Sequence, residues 1–371
     1  MKLRNAIPAS VLSVTLLFVF GCSQKTEQAE KPEVKAPPVK ARFRVKTGGK
    51  WGYIDRQGKL SIPAQFDEAY PFREGLAPVK VGKLCGFVDP EGNMLVPPQF
   101  EACGSFGEGL AFVFVKEKPE TGGNGAYVDR SGKIVIPARF HGGGPFIEGL
   151  AYVHLEAETI TEMRPLYAGS GKVGPVTERS VKPPKIGYVD KQGRLLPTDS
   201  LEDGEAFSSG VAAVKSGKKW GFLGKTGKMA LEAQFDGAEG FHEKLAAVKS
   251  GKQWGYIDAA GQWLLPAQYE EAGRFSEGLA AVKKDGRWGY IDRKGTVVIP
   301  AQFEGASAFS EGMASVRAGK KWGFIDKSGK QVIEPQFEKS ADFDQGLAFV
   351  VVGDKIGYVD KAGAYVWPLS K

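Results

Sequence analysis

Trp-Gly recurs along this 371-residue chain at a fixed interval, and the interval constrains the fold before any other feature does. The pair stands at Trp51-Gly52, Trp220-Gly221, Trp254-Gly255, Trp288-Gly289 and Trp322-Gly323, the last four copies 34 residues apart. Altered copies at Cys85-Gly86, Gly125-Ala126, Ile186-Gly187 and Ile356-Gly357 bring the units to nine. Such a chain folds as a series of like units, each burying its apolar face on its neighbours. A residue that returns in every unit is therefore a structural part before it is a chemical one.

The unit Leu245 to Glu277 shows the plan. Leu245-Ala246-Ala247-Val248, Trp254-Gly255-Tyr256-Ile257 and Trp263-Leu264-Leu265-Pro266 are short runs of strand formers. Lys249-Ser250-Gly251-Lys252 and Asp258-Ala259-Ala260-Gly261 lie between them and suit tight hairpin turns. The Asp of the second turn returns at Asp55, Asp89, Asp129, Asp190, Asp292, Asp326 and Asp360. Proline closes the third run at Pro63, Pro97, Pro137, Pro300 and Pro368, and predicts a strand end there because proline has no ladder donor. The pattern predicts one three-stranded antiparallel meander per unit. It excludes a helical repeat of the same period, since three glycine-bounded runs leave no room for two amphipathic helices.

The Trp position, with Phe66, Phe100, Phe140, Phe235, Tyr269, Phe303 and Phe337, is expected to form the core between units. The small connector residues Ala69, Ala238, Ala272 and Ala306 are expected opposite the indoles. The fold class is all-β: tandem 34-residue meanders in an open, twisted repeat array, with a closed propeller-like ring as the alternative. The open form is favoured because nine three-stranded units do not match the usual rings of four-stranded blades.

The motif K-W-G-[FY]-I-D-x-x-G-x-x-x-[IL]-P-x-x-[FY]-[DE] resembles the bacterial WG β-repeat family across residues 43–371. The resemblance implies an exported or surface repeat protein and supplies no catalytic residue.

The N-terminus sets a location. Lys2 and Arg4 precede an apolar stretch, Val11 to Phe20, then Gly21-Cys22. That order describes an export signal in residues 1–21, too short to span a bilayer comfortably. Val19-Phe20-Gly21-Cys22 resembles a bacterial lipobox, which implies cleavage before Cys22 and acylation of its thiol. Residues 22–42 are then the lipidated cysteine and a flexible tether, rich in Lys, Glu and Pro and poor in groups that pack. Ser23 resembles the sorting residue of outer-membrane lipoproteins, so the expected place is the outer membrane or cell surface. Loss of residues 1–21 removes Lys2 and Arg4 and lowers the formal net charge from +7 to +5. That charge is too mild to imply nucleic acid as a partner.

Breaks in the repeat are the pointers to function. Insertions at 116–124 and 154–185 fall at the same turn of consecutive units and are expected to project from one edge. The longer one brings His154, Arg164, Tyr167 and Arg179 as candidate binding residues. The first turn is basic in many units, and Lys218, Lys252, Arg287 and Lys320 would line one edge as a cationic ridge. Such a ridge attracts an anionic polymer or an acidic protein, although edge lysines also prevent strand-to-strand aggregation. Cys85 replaces a Trp and Cys103 replaces the small connector residue of the same unit, which suggests a disulfide in place of an indole contact.

Catalysis finds little support. His141, His154 and His242 lack metal-ligand spacing, and no nucleophile elbow or phosphate loop stands in context. Glu74, Glu108, Glu148, Glu277 and Glu311 recur in an E-G turn and read as hydrogen-bonding devices. No cofactor or metal is expected. The expectation is a non-enzymatic binding or scaffold module, held to the membrane by its lipid, with a protein or anionic envelope polymer as partner. A glycan-processing hydrolase and a purely structural spacer are the alternatives.

Overall fold

In the computed structural model the described residues are 40–116, 123–155, 159–165, 175–181, 185–198 and 201–370. They contain strands and turns and no helix, and they form nine small antiparallel sheets plus a separate two-stranded hairpin. Each sheet is a blade. Blade 2 illustrates them: an inner strand Glu68–Ala69, then a meander of Ala77–Val81, Leu84–Val88 and Met94–Phe100. Seven blades have four strands. Blade 1 has only the meander, Phe43–Thr47, Lys50–Ile54 and Leu60–Phe66, among the described residues. In blade 4 the third run is held by isolated bridges such as Val189 to Leu195 rather than by a full strand.

The blades close into the propeller-like ring, the alternative of the two expected arrangements, rather than into the favoured open array. An open row of nine blades has eight junctions. Here nine apolar clusters each join two neighbouring blades. The ninth unites Phe43, Val45 and Ile54 of blade 1 with Leu347 and Tyr358 of blade 9. The Ser370 hydroxyl then donates to the Lys46 carbonyl at 3.0 Å, 324 positions apart in sequence. The fourth strand overlooked in the sequence is the connector. In six blades two residues of it, too few to show strand alternation, pair with the next meander, as Ala69 does with Val79, and in blades 3 and 7 it runs six residues, Ala102–Gly107 and Glu271–Ser276, across a bulge.

An aromatic lock repeats at the junctions. The second meander strand of one blade sends an aromatic ring onto a connector Phe of the next: Tyr53 on Phe72, Phe87 on Phe106, Tyr127 on Phe146, Tyr188 on Phe207, Phe222 on Phe241, Tyr256 on Phe275, Tyr290 on Phe309 and Phe324 on Phe343. Centroids in these eight pairs lie 4.8–5.0 Å apart at steep angles, the favoured aromatic geometry. Where the ring is Tyr, its hydroxyl donates to the carbonyl two residues before the Phe, as Tyr256 does to Gly273 at 2.7 Å. Burial pushes these phenols far above their ordinary pKa, so they stay protonated as donors.

The tryptophans are not the centre of the core. The five tryptophans of the Trp-Gly pairs are half-buried and pack against the margin of their clusters, while Tyr and Phe of the locks are enclosed. Cations from the neighbouring strand sit over several indoles, Lys249 over Trp254 at 5.9 Å and Arg317 over Trp322 at 5.8 Å. The glycine after each Trp has a firmer requirement. A Cβ on Gly255 would stand 2.5 Å from the Leu265 carbonyl oxygen, because the third strand bulges across it. Pro266 sits inside that bulge, in the middle of strand Trp263–Tyr269. The prolines therefore mark a bulge and not the strand end, one of the few places a sheet admits them.

The D-x-x-G turns are held as their composition suggests. Asp55 Oδ1 accepts from the amides of Gln57 and Lys59 at 3.0 and 2.9 Å, and Gly58 takes the left-handed φ of 78°. The same double acceptance returns at Asp258 and Asp326.

Candidate functional site

Strand direction alternates within a blade, and this sorts the turns onto two faces. Turns from inner strand to meander and the D-x-x-G turns share one face. Turns between the first two meander strands and the links between blades share the other. The chain reaches blade 1 on the first: Arg42 Nε donates to the Pro90 carbonyl at 2.9 Å and Lys40 pairs with Glu91 at 2.6 Å, beside the Asp89 turn. This is the entry face. The opposite one carries both insertions and is the insertion face.

On the entry face the recurring E-G glutamates clamp successive blades. Glu277 accepts from the Gly312 amide at 3.0 Å and pairs with Lys327 at 2.9 Å, both in the next blade. Glu108 does the same with Gly149 and Lys191, and the Lys191 ammonium holds its carboxyl below the usual range. These glutamates occupy left-handed backbone, with φ of 54° at Glu277. They are hydrogen-bonding devices, used between blades rather than within a turn.

The insertion face carries the base of insertion 154–185 and the basic turns. Insertion 154–185 leaves the first meander strand of blade 4 at His154 and returns to the second, its base closed by the Leu155 amide on the Lys185 carbonyl at 2.8 Å. Within it Thr159–Pro165 pairs with Pro175–Val181, so that Arg164 stands opposite Val176 and Arg179 opposite Thr161. Tyr167 lies outside the described residues, as do 117–122 of the shorter insertion and the lipidation candidate Cys22. His154 is half-buried, with its ring 5.7 Å from that of Tyr152.

The cationic ridge divides into two sets. In four blades the basic residue that ends the turn is tied to an acid in the link between blades. Lys219 pairs with Asp236 at 2.6 Å, Lys50 with Asp67 at 2.6 Å, and Arg287 with Glu304. The same acids accept turn amides of the following blade, Gly251 on Asp236 at 2.7 Å. Arg287 is thus a clamp residue and adds little free charge to the ridge. Lys218, Lys252 and Lys320, one position earlier in their turns, are exposed and have no ion-pair partner among the described residues. Lys83 is exposed and unpaired in the same way.

Cys85 and Cys103 form a disulfide with Cα atoms 6.1 Å apart. The connector belongs to the next blade, so the bond joins blades 2 and 3 rather than closing one unit. The small connector residue and the Trp position do share a cluster at other junctions, as Ala306 and Trp288 show.

A second group lines the inner edge of the ring. At one connector position most blades carry Gly144, Gly273, Ser307 or Ala341 and similar residues, whereas blades 5 and 6 carry Glu205 and Glu239. Glu205 Oε2 accepts from the Gly240 amide at 2.7 Å. Burial pushes Glu239 up to about 6, the nearby Glu205 charge adds to this and Arg274 opposes it. Burial raises Glu205 and lowers the neighbouring His242. In sequence these acids carry no signal of their own, because each stands in a connector without strand periodicity. Aligning connectors on their Phe exposes them. Among the described residues no three of His, Cys, Asp and Glu gather as a metal-ligating cluster.

A family model described as "WG containing repeat" matches residues 51–85, 86–118, 126–155, 220–253, 254–288, 288–322 and 322–355. No match was found among curated proteins. Among solved structures the ring is similar to "Crystal structure of the eukaryotic initiation factor", with a TM-score of 0.59, 13% identity, 90% of this chain covered and 97% of that chain. It matches "Dihydro-heme d1 dehydrogenase NirN in complex with DHE" with a TM-score of 0.43 and 13% identity over 92% of this chain and 76% of that one. PorZ of Porphyromonas gingivalis gives a TM-score of 0.33 and 10% identity over 80% and 44%. At such identities the first of these likenesses speaks for the fold alone. The family model covers more than half of the chain, and the chain belongs to the WG-containing repeat family.

Proposed function

We propose that the chain is a lipid-anchored, non-catalytic binding module of the bacterial envelope that offers its insertion face to a protein or an anionic envelope polymer. The observation that carries this reading is the division of the two faces. Both insertions and the exposed, unpaired Lys83, Lys218, Lys252 and Lys320 share one face, and the chain enters blade 1 on the other. Residues 40–42, which follow the proposed tether in sequence, lie on the entry face, so they leave the insertion face open to a partner. Cations at equivalent turns of successive blades suit a ligand with repeated negative charge, and salt would weaken the contact.

Pull-down from native envelopes at low and high salt tests this. Removing 156–183, or reversing charge at Lys218, Lys252 and Lys320, is expected to abolish capture while the ring stays folded. Capture that survives both changes sinks the reading and leaves a spacer.

Glu205 and Glu239 favour a second reading, a glycan hydrolase. Burial raises both carboxyls, Glu239 to about 6, and a carboxyl kept protonated towards neutral pH is one requirement of a glycosidic general acid. Glycan turnover that is lost in Glu239→Gln and kept in the charge-reversal variant would replace the binding reading.

A further inference from the structure

The closing junction differs from the other eight in one respect. Blade 1 has no inner strand among the described residues, so no connector Phe reaches Tyr358 of blade 9. Phe43 covers Tyr358 instead, at 5.4 Å, from a position that is Ala in the eight other blades, for example Ala77 and Ala348. It does not fill the place. A cavity of about 190 Å³ remains, lined by Arg44, Pro71, Ala341, Asp342, Leu347 and Tyr358 among others. The Tyr358 hydroxyl has no acceptor among the described residues, where Tyr53, Tyr127, Tyr188, Tyr256 and Tyr290 each have a connector carbonyl.

The backbone tells the same story. In the other blades the first amide of the connector donates to the first meander strand, as Asp67 does to the Lys80 carbonyl at 2.9 Å. At blade 1 a side chain stands in, the Ser370 hydroxyl on Lys46. The inner edge of strand Phe43–Thr47 is otherwise unpaired among the described residues.

We infer that this junction is a docking socket for an extended segment of another polypeptide, which enters as the inner strand of blade 1 and seats an aromatic side chain on Tyr358. The occupant's chemistry is set by the eight filled junctions of the same ring. It needs an extended backbone to pair with the Phe43 strand, a carbonyl to receive the Tyr358 hydroxyl, and an aromatic ring two residues later. The contact is strand addition at an exposed sheet edge, with a pocket for one side chain supplying specificity. The tether does not offer that side chain, because residues 23–42 contain no Phe, Tyr or Trp. The charged lining is balanced, Arg42 and Arg44 against Asp342 and Asp344, with Asp344 facing Arg73 at 3.9 Å, so backbone pairing and the aromatic ring rather than net charge set the fit.

The ring's own connector provides the probe. A synthetic peptide with the sequence of residues 67–76, DEAYPFREGL, is titrated into the full-length chain in detergent and into the chain starting at residue 40. Saturable binding to both is expected. Changing the peptide's Phe to Ala should weaken it about tenfold or more, as loss of a buried aromatic anchor does. On the protein, Tyr358→Phe should weaken binding, Ala341→Trp should block it, and Phe43→Ala, which restores the residue of the other blades, should tighten it. No binding, or binding indifferent to the peptide's Phe, overturns the inference. Binding only to the chain starting at residue 40 overturns it in favour of the tether as occupant. A dimer by light scattering that the peptide dissolves overturns it in favour of a second copy.

Discussion

Cys85 and Cys103 are bonded across blades 2 and 3, at the contact that holds Trp288 and Ala306 between blades 7 and 8. One covalent bond thus replaces an indole packed near a methyl. The substitution occurs in the blade before the two that carry insertions, where the chain leaves the ring for long excursions.

Removing the bond by Cys85→Ala with Cys103→Ala is expected to cost about 2–4 kcal/mol, the usual worth of a native bridge closing a short loop. Cys85→Trp with Cys103→Ala rebuilds the contact of the other junctions and should recover part of that loss. Thermal unfolding of the three proteins checks it. Equal melting temperatures for the double-alanine variant and the parent would show that the bond carries no stability.

Phe309 closes the lock on Tyr290, with centroids 4.9 Å apart. Phe309→Ala should destabilise the ring by about 3–5 kcal/mol, because the transfer energy is lost and the neighbours cannot collapse around the gap. Trp288→Ala at the same junction removes a larger side chain but a half-buried one. Its cost should be the smaller of the two. Chemical denaturation of both variants decides whether the buried Phe or the family's signature Trp holds the blades together.

The repeat was legible because its cause is local. Turn glycines, the Asp that binds amides two and four residues on, and short runs of strand formers lie within one unit, so the meander follows from sequence alone. Closure was not legible. It depends on Glu68–Ala69 and its counterparts, inner strands that are two residues long in six blades and show no periodicity, and on curvature accumulated over nine junctions. The Trp was misplaced for a different reason. It is the largest apolar residue, but its indole lies at the cluster margin under a cation, while the enclosed positions went to Tyr and to connector Phe. At the candidate sites, the basic turns and insertions could be counted in sequence, whereas the pairing of Arg287 with Glu304 could not, since the partner is in a link 17 residues on.

Gly255 tests the requirement behind the second letter of the motif. A methyl there meets backbone, the Leu265 carbonyl and the Ala267 amide, and backbone cannot rotate aside. Gly255→Ala should cost about 1–3 kcal/mol through overpacking. Gly251→Ala is the comparison: its methyl points into open space, so only the left-handed φ of 62° opposes it. That cost should be about 1 kcal/mol. If the two variants unfold together, close approach is not why the glycine follows the Trp.

Glu239 should make stability fall as pH rises. Burial lifts its folded pKa to about 6, above the ordinary glutamate value of the unfolded chain. Below pH 4 the group is protonated in both states and imposes no cost. Between about pH 4.5 and 6 the unfolded chain ionises first, and the folded state loses ground until the folded group ionises too. The loss is complete near pH 7 and amounts to about 1 kcal/mol once the half-buried setting of the side chain is allowed for. Glu239→Gln removes the titration. Denaturant unfolding at pH 4 and pH 7 should therefore show the variant gaining on the parent by that amount at the higher pH. A gap that stays constant, or closes, would mean that the Glu239 carboxyl ionises in the ring as freely as it does in the unfolded chain.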